Sequence, residues 1–260
     1  MAATAESARR PLPAAPSPLS QLLAQDDRRA AFAILFPLLV LAVLGWVVSF
    51  RDAPPMDSGA LLFVASWVVM MTAMMLPGVA PVVGLYIRAA QNVFAAAPFF
   101  VAAYLFVWVL SVIPAYAVNN VVANPLMQGQ EWVGRLAGGA LLATAAYELS
   151  PLKTMCLRHC RAPVSFFRAH PADLDQAGAA VAAGIRHALY CLGCCAGWMM
   201  VLIVLGGMQL GWALALASIV TLQKLAPRGE SIVRVTAAAA ATLGVAFLIA
   251  PGLLAHTTTT

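Results

Sequence analysis

"GALLFVASWVVMMTAMMLPGVAPVVGLYI", residues 59–87, runs from Gly59 to Ile87 without one charged side chain. At a rise of ~1.5 Å per residue, the stretch outreaches the ~30 Å of hydrocarbon in a bilayer. In lipid, backbone N–H and C=O groups must pair within their own segment, so a run of this kind reads as a helix. It is long enough to tilt or kink, and Pro77 and Pro81 each remove a rung of its hydrogen-bond ladder.

The rest of the chain follows the same pattern. Of 260 residues, 62% are hydrophobic and only 10% are charged, where a soluble domain carries about a quarter. The mean hydropathy is +0.87. The alternating segments of a membrane β-barrel are absent from the sequence. The expectation is an all-α fold, a polytopic transmembrane helix bundle of about seven spans. The spans are placed at about Ala31–Phe50, Gly59–Ile87, Ala95–Ala117, Gly134–Glu148, Gly184–Gly206, Leu210–Leu225 and Ile232–Leu254. The first 30 residues are rich in Ala, Pro and Ser, lack an apolar core, and read as a disordered cytoplasmic tail rather than a signal peptide. Residues 31–260 are then one transmembrane domain, with a cytoplasmic loop over about 150–183.

Charge sets the orientation. With the N-terminus inside and the C-terminus outside, all but two of the 15 Lys and Arg residues fall on the cytoplasmic side, the exceptions being Arg51 and Arg135. That is the positive-inside bias. The expected location is therefore a bacterial inner (cytoplasmic) membrane. The net charge of +5 forms no aromatic-interleaved basic stripe, so nucleic acid is not an expected partner.

The chemistry lies in three clusters. "YCLGCC", residues 190–195, puts Cys191, Cys194 and Cys195 inside the fifth span. Residues four apart share a helix face, so Cys191 and Cys195 align and Cys194 borders them. At 1.5 Å per residue they lie about 10 Å inside the membrane. Thiolates and thioethers are soft ligands that suit Cu(I), with zinc the alternative. The bland reading is that cysteine is a small apolar residue and that Gly193 and Gly197 form a GxxxG contact.

"YELSPLKTMCLRHC", residues 147–160, holds Glu148, Lys153, Cys156, His159 and Cys160. A carboxylate bordering hydrocarbon is a functional suspect by default, with a Glu148–Lys153 interface pair as the plain alternative. Cys156 and Cys160 would share a helix face, and Arg158 and Arg161 beside them favour thiolate. A cytoplasmic setting keeps thiols reduced, which argues against a structural disulfide, as does the odd count of five cysteines. In the second span, Met70, Met74 and Met75 have the spacing of a thioether-lined path, while methionine is also a common gap-filler.

Taken together, "WVVMMTAMMLPGVAP", "YELSPLKTMCLRHCRAP" and "GIRHALYCLGCCAGWMMVLIVLGGMQLGW" resemble the DUF2182 family of predicted metal-binding integral membrane proteins, over about Ser58–Pro227. The resemblance places characteristic positions on Trp67, Met70, Met74, Met75, Pro77, Glu148, Pro151, Lys153, Cys156, His159, Cys160, Tyr190, Cys191, Gly193, Cys194 and Cys195. Where that family often has a Glu-Lys pair at the end of the sixth span, this chain has Gln223-Lys224.

The expectation is a soft-metal protein that transfers or transports copper as Cu(I). Its metal residues would be Cys156, His159, Cys160, Cys191, Cys194, Cys195, Met70, Met74, Met75 and Glu148. The alternative is a structural or assembly subunit of a larger membrane complex. Expected partners are the lipid bilayer, a cytoplasmic metal donor or acceptor protein, and partners within a membrane complex. No nucleotide-binding GxxxxGK[ST] loop and no nucleophile–base arrangement is present, so enzymatic activity is not expected.

Overall fold

The structure is a computed structural model that describes residues 28–51, 59–89, 93–161, 176–205 and 210–253. The N-terminal tail over 1–27, the loop residues 162–175 with His170, the break at 206–209 and the end at 254–260 with His256 lie outside the described residues. Among the described residues the secondary structure is helical, without strands.

In chain order the helices are α1 (Arg28–Arg51), α2 (Ala60–Ala89), α3 (Val93–Leu110), α4 (Val112–Met127), α5 (Glu131–Glu148), α6 (Pro151–Arg161), α7 (Ala177–Val204), α8 (Leu210–Leu225) and α9 (Gly229–Ile249). Among the described residues, four stretches are long and apolar enough to cross a membrane: Ala60–Tyr86, Ala97–Val122, Ala177–Val204 and Gly229–Ile249. Phe36–Arg51 and Gly211–Leu225 are shorter apolar helices. α5 carries Glu131, Arg135 and Glu148, which leaves it a short apolar stretch.

Two local differences from the sequence reading have physical causes. The third span runs on to Val122 but is interrupted at Ser111. The ring of Pro114 would collide with the carbonyl of Leu110, four residues earlier, so the helix breaks there. The Ser111 hydroxyl donates to the Trp108 carbonyl (2.6 Å) and accepts from Trp67 Nε1 (3.0 Å), tying the break to α2. Second, part of the expected 150–183 loop is helix: α6 occupies its start, and α7 begins at Ala177 rather than Gly184.

The bundle is apolar inside and out. Its interior is lined by large side chains, including Trp67, Tyr86, Tyr104, Trp108 and the methionines of α2. Its surface exposes Phe36, Leu41, Leu61, Phe106, Val235 and Ile249, large apolar side chains that water would penalise and lipid would not. Helices approach closely where small residues face each other. A Cβ on Gly138 of α5 would sit 2.8 Å from the Gly244 carbonyl of α9, so the two backbones touch there.

Candidate metal centre

α6 forms for reasons visible in its first four residues. Ser150 caps it, its Oγ accepting from the Lys153 backbone N–H at 3.2 Å. Pro151 occupies the first helical position, where its missing N–H costs nothing. The buried residues of the helix are Lys153, Cys156, Leu157, Cys160 and Arg161, spaced i, i+3, i+4, i+7 and i+8. That is one helix face, and it packs against α7.

α7 offers a complementary face. His187, Cys191, Cys194, Cys195 and Trp198 are buried along it. The Cys194 and Cys195 thiols donate back to the Cys191 carbonyl, at 3.1 and 2.9 Å. Gly193 and Gly197 do form the close contact their spacing suggests, and the two serve different neighbours. A Cβ on Gly193 would lie 2.7 Å from Cys156 Sγ of α6, and one on Gly197 would lie 2.9 Å from Thr144 Cγ2 of α5. Thr144 Oγ1 donates to the Gly197 carbonyl (2.9 Å), and the Tyr147 hydroxyl donates to the Gly193 carbonyl. The glycines therefore let α5 and α6 press onto α7 together.

The result is that the two cysteine motifs meet. The sulfurs of Cys160, Cys191 and Cys194 lie within 4.8 Å of one another, all buried. Three sulfurs around one ion at ~2.3 Å would be about 4 Å apart, so only a small contraction separates this group from a trigonal thiolate site. Cys156 flanks the group on Gly193, and Cys195 flanks it on α7. All five thiols are free.

Two groups outside the cysteine motifs complete the centre. Lys224 of α8 donates from Nζ to Cys191 Sγ at 2.9 Å, and the Tyr104 hydroxyl of α3 lies 3.0 Å from the same sulfur. Gly78 of α2 makes room for the Lys224 stem, since a Cβ there would be 3.3 Å from Lys224 Cδ. On α6, hydrogen bonds to Cys191 and Cys194, followed by burial, hold the Cys160 thiol well above the ordinary thiol range. Burial, with Cys194 nearby, also pushes the Cys156 thiol up. Neither Lys224 nor Tyr104 was among the sequence candidates. A lysine in an apolar helix was the available signal for the first; a tyrosine among many aromatics gave none.

The other candidates are not members of the three-thiol group. Glu148 is buried and bonded to Lys153 Nζ. Lys153 also donates to Gln223 Oε1 (2.8 Å), and Gln223 Nε2 donates to Glu148 Oε2 (2.8 Å) and Thr236 Oγ1 (2.9 Å). Met70, Met74 and Met75 are buried on α2, with Met74 and Met75 one turn before Gly78. His159 is exposed; its ring stacks on Tyr190 with centroids 4.6 Å apart, and its Nδ1 faces the Met155 carbonyl at 2.8 Å.

Three soft, buried ligand atoms this close to one another could hold a metal ion. Neither the curated proteins nor the solved structures contain a match to the chain. The match comes from a family model, and it covers most of the second helix, both cysteine motifs and most of the last helix. It carries a different name from the family that the motifs resemble: over residues 64–247 the chain matches the PpoB2 family model, described as copper chaperone, and it belongs to that family.

Proposed function

We propose that the protein is a membrane-embedded copper chaperone that takes Cu(I) as cargo at Cys160, Cys191 and Cys194 and hands it on. The single observation that carries this reading is the meeting of three buried thiols from two separate motifs. Buried polar groups without a purpose are costly, and three thiolates with one ammonium would hold a monovalent cation with little excess charge. Cys156 and Cys195 flank the three and serve as exchange ligands, so that the ion changes partners one bond at a time. Met70, Met74 and Met75 supply softer thioether steps along α2.

In this reading Glu148 is not a ligand, because both its oxygens are engaged by Lys153 and Gln223. His159 stands at the exposed side of α6, where a soluble donor or acceptor of copper would arrive. The chain crosses a bacterial inner membrane seven times, with α1, α5 and α8 completing the four longer spans and the N-terminus in the cytoplasm. Support for this comes from the distribution of Lys and Arg. The protein moves an ion between partners and catalyses no bond change.

The test is an anaerobic Cu(I) competition titration of the full chain in detergent. The expected result is one tightly held copper, with affinity falling more than ~100-fold in Cys191→Ser, a loss of one of three soft ligands. Copper affinity unchanged in Cys160→Ser, Cys191→Ser and Cys194→Ser alike would overturn the reading.

A further inference from the structure

A second cluster of charged residues lies outside the three-thiol group. The ends of α5 and α6 and the α8–α9 turn enclose a cavity of about 390 Å³. Its cationic lining is Lys153, Arg158, Arg161, Arg228 and Arg234, against the carboxylates of Glu148 and Glu230. Two of these charges are already matched. Lys153 is paired with Glu148, and Arg158 with Glu230 at 3.6 Å.

Three guanidiniums remain. Arg161 is 5% exposed, and its NH1 and NH2 donate to the carbonyls of Gln223 (2.7 Å) and Ala226 (2.8 Å), which are neutral. Arg228 and Arg234 form no ion pair among the described residues. The carboxylate that acts on Arg161 is Glu230, and it is already paired with Arg158, so the cluster keeps an excess of positive charge that a further counter-charge would offset. The remaining lining is mixed: Ser231 offers a hydroxyl, while Leu149, Leu157 and Val233 form an apolar wall. Leu149 of this wall and Leu152 on α6 are 65% and 53% exposed.

We propose that this cavity binds the phosphate of an anionic phospholipid headgroup, with Arg161, Arg228 and Arg234 as its cationic cradle. Guanidinium groups grip phosphate oxygens through two-pronged, charge-assisted hydrogen bonds. Basic pockets between helix ends are where membrane proteins hold anionic headgroups. The apolar wall and the exposed leucines favour a lipid over a free anion, because they continue the pocket toward acyl chains. The inference rests on the membrane reading of the helices and is independent of copper.

Native mass spectrometry of the full-length protein in detergent tests it, with phosphatidylglycerol, phosphatidylcholine and inorganic phosphate as probes. One phosphatidylglycerol should be retained in preference to phosphatidylcholine. Arg228→Gln with Arg234→Gln should lower that retention about tenfold, the loss of charge-assisted bonds to phosphate, and Arg228→Lys with Arg234→Lys should keep part of it. Copper stoichiometry should not change in either variant, which also reports that each has folded. Equal retention of the two lipids, or undiminished retention in the Gln variant, would overturn the proposal while leaving the copper reading intact. Protection from heat by inorganic phosphate alone, with no preference for phosphatidylglycerol, would overturn the lipid source.

Discussion

Two buried polar clusters sit side by side in this bundle, and adjacent residues of α8 reach into them. Gln223 joins Glu148 and Lys153; Lys224 joins Cys191. In the first cluster every strong group is answered: carboxylate by ammonium and amide, amide by carboxylate and Thr236. In the second, three polarisable sulfurs face one another, with Lys224 and Tyr104 both turned on Cys191. Full hydrogen bonding makes a cluster rigid, and it leaves no reason for a ligand to enter. Sulfur makes weak hydrogen bonds and strong bonds to soft metals, so the second cluster gains most when an ion arrives. The contrast fits the first to holding α5, α6 and α8 together and the second to the proposed cargo.

The largest effect that would break this contrast is on the first cluster. Lys153→Met leaves Glu148 charged and buried without its partner, a loss of ~3–5 kcal/mol for a broken buried pair. A clear fall in melting temperature in detergent is expected, and Glu148→Gln added to Lys153→Met should recover much of it. The protein that remains folded should still load copper. A variant that melts like the parent but loses copper would exchange the roles of the two clusters.

The second cluster should answer to pH instead. The Cys160 thiol is held above its ordinary range, so near neutral pH it keeps its proton in the metal-free protein. Copper needs the thiolate, so uptake releases that proton. Apparent Cu(I) affinity should therefore rise with pH by up to about tenfold per unit until the raised value is reached, then level off. Titrations at several pH values check the slope, and Cys160→Ser should flatten it. A slope that persists in Cys160→Ser would mean that another group supplies the proton.

A smaller effect should come from the helix contact that brings the motifs together. Gly193→Ala places a methyl 2.7 Å from Cys156 Sγ and 3.3 Å from its Cβ, so the thiol must turn away and α6 must ease slightly off α7. Cys160 moves with it, and copper affinity should fall roughly tenfold, as it does when an outer group stops orienting a ligand. Adding Cys156→Ala removes the obstructing sulfur and should restore affinity. Failure of that rescue would make Cys156 a ligand in its own right.

Much of this was legible from composition and spacing, and the parts that were not share one cause. Helices and their apolar faces follow from local periodicity, so α2, α7 and the shared face of Cys191 and Cys195 could be read directly. The pairing of Glu148 with Lys153 was one of two readings left open, and it holds because a helix end and a capped start sit next to each other in the chain. The junction of Cys160 with Cys191 and Cys194 is different. It joins helices separated by a long connection, and no period in the sequence reports which face of α6 meets which face of α7. Lys224 and Tyr104 reach Cys191 from still more distant helices. Ser111 shows the same limit on a smaller scale, since Pro114 announces a break but not that Trp67 will bind it.

The least effect is expected from a residue that the sequence offers as a metal ligand. His159 stands between Cys156 and Cys160 in the sequence, and imidazole commonly joins thiolates around a metal. On α6, however, the buried positions are those of Cys156 and Cys160, and His159 falls on the exposed flank, stacked on Tyr190. Its Nδ1 is occupied by the Met155 carbonyl one turn back. His159→Ala should leave Cu(I) affinity within about twofold of the parent, since it removes no ligand and exposes no buried charge. The same substitution should slow copper exchange with a soluble thiol carrier if that flank is where the carrier arrives, because a lost surface contact alters encounter more than equilibrium binding. Stopped-flow transfer alongside equilibrium titration separates the two. A tenfold loss of affinity would bring His159 into the copper site and require α6 to turn when the ion binds.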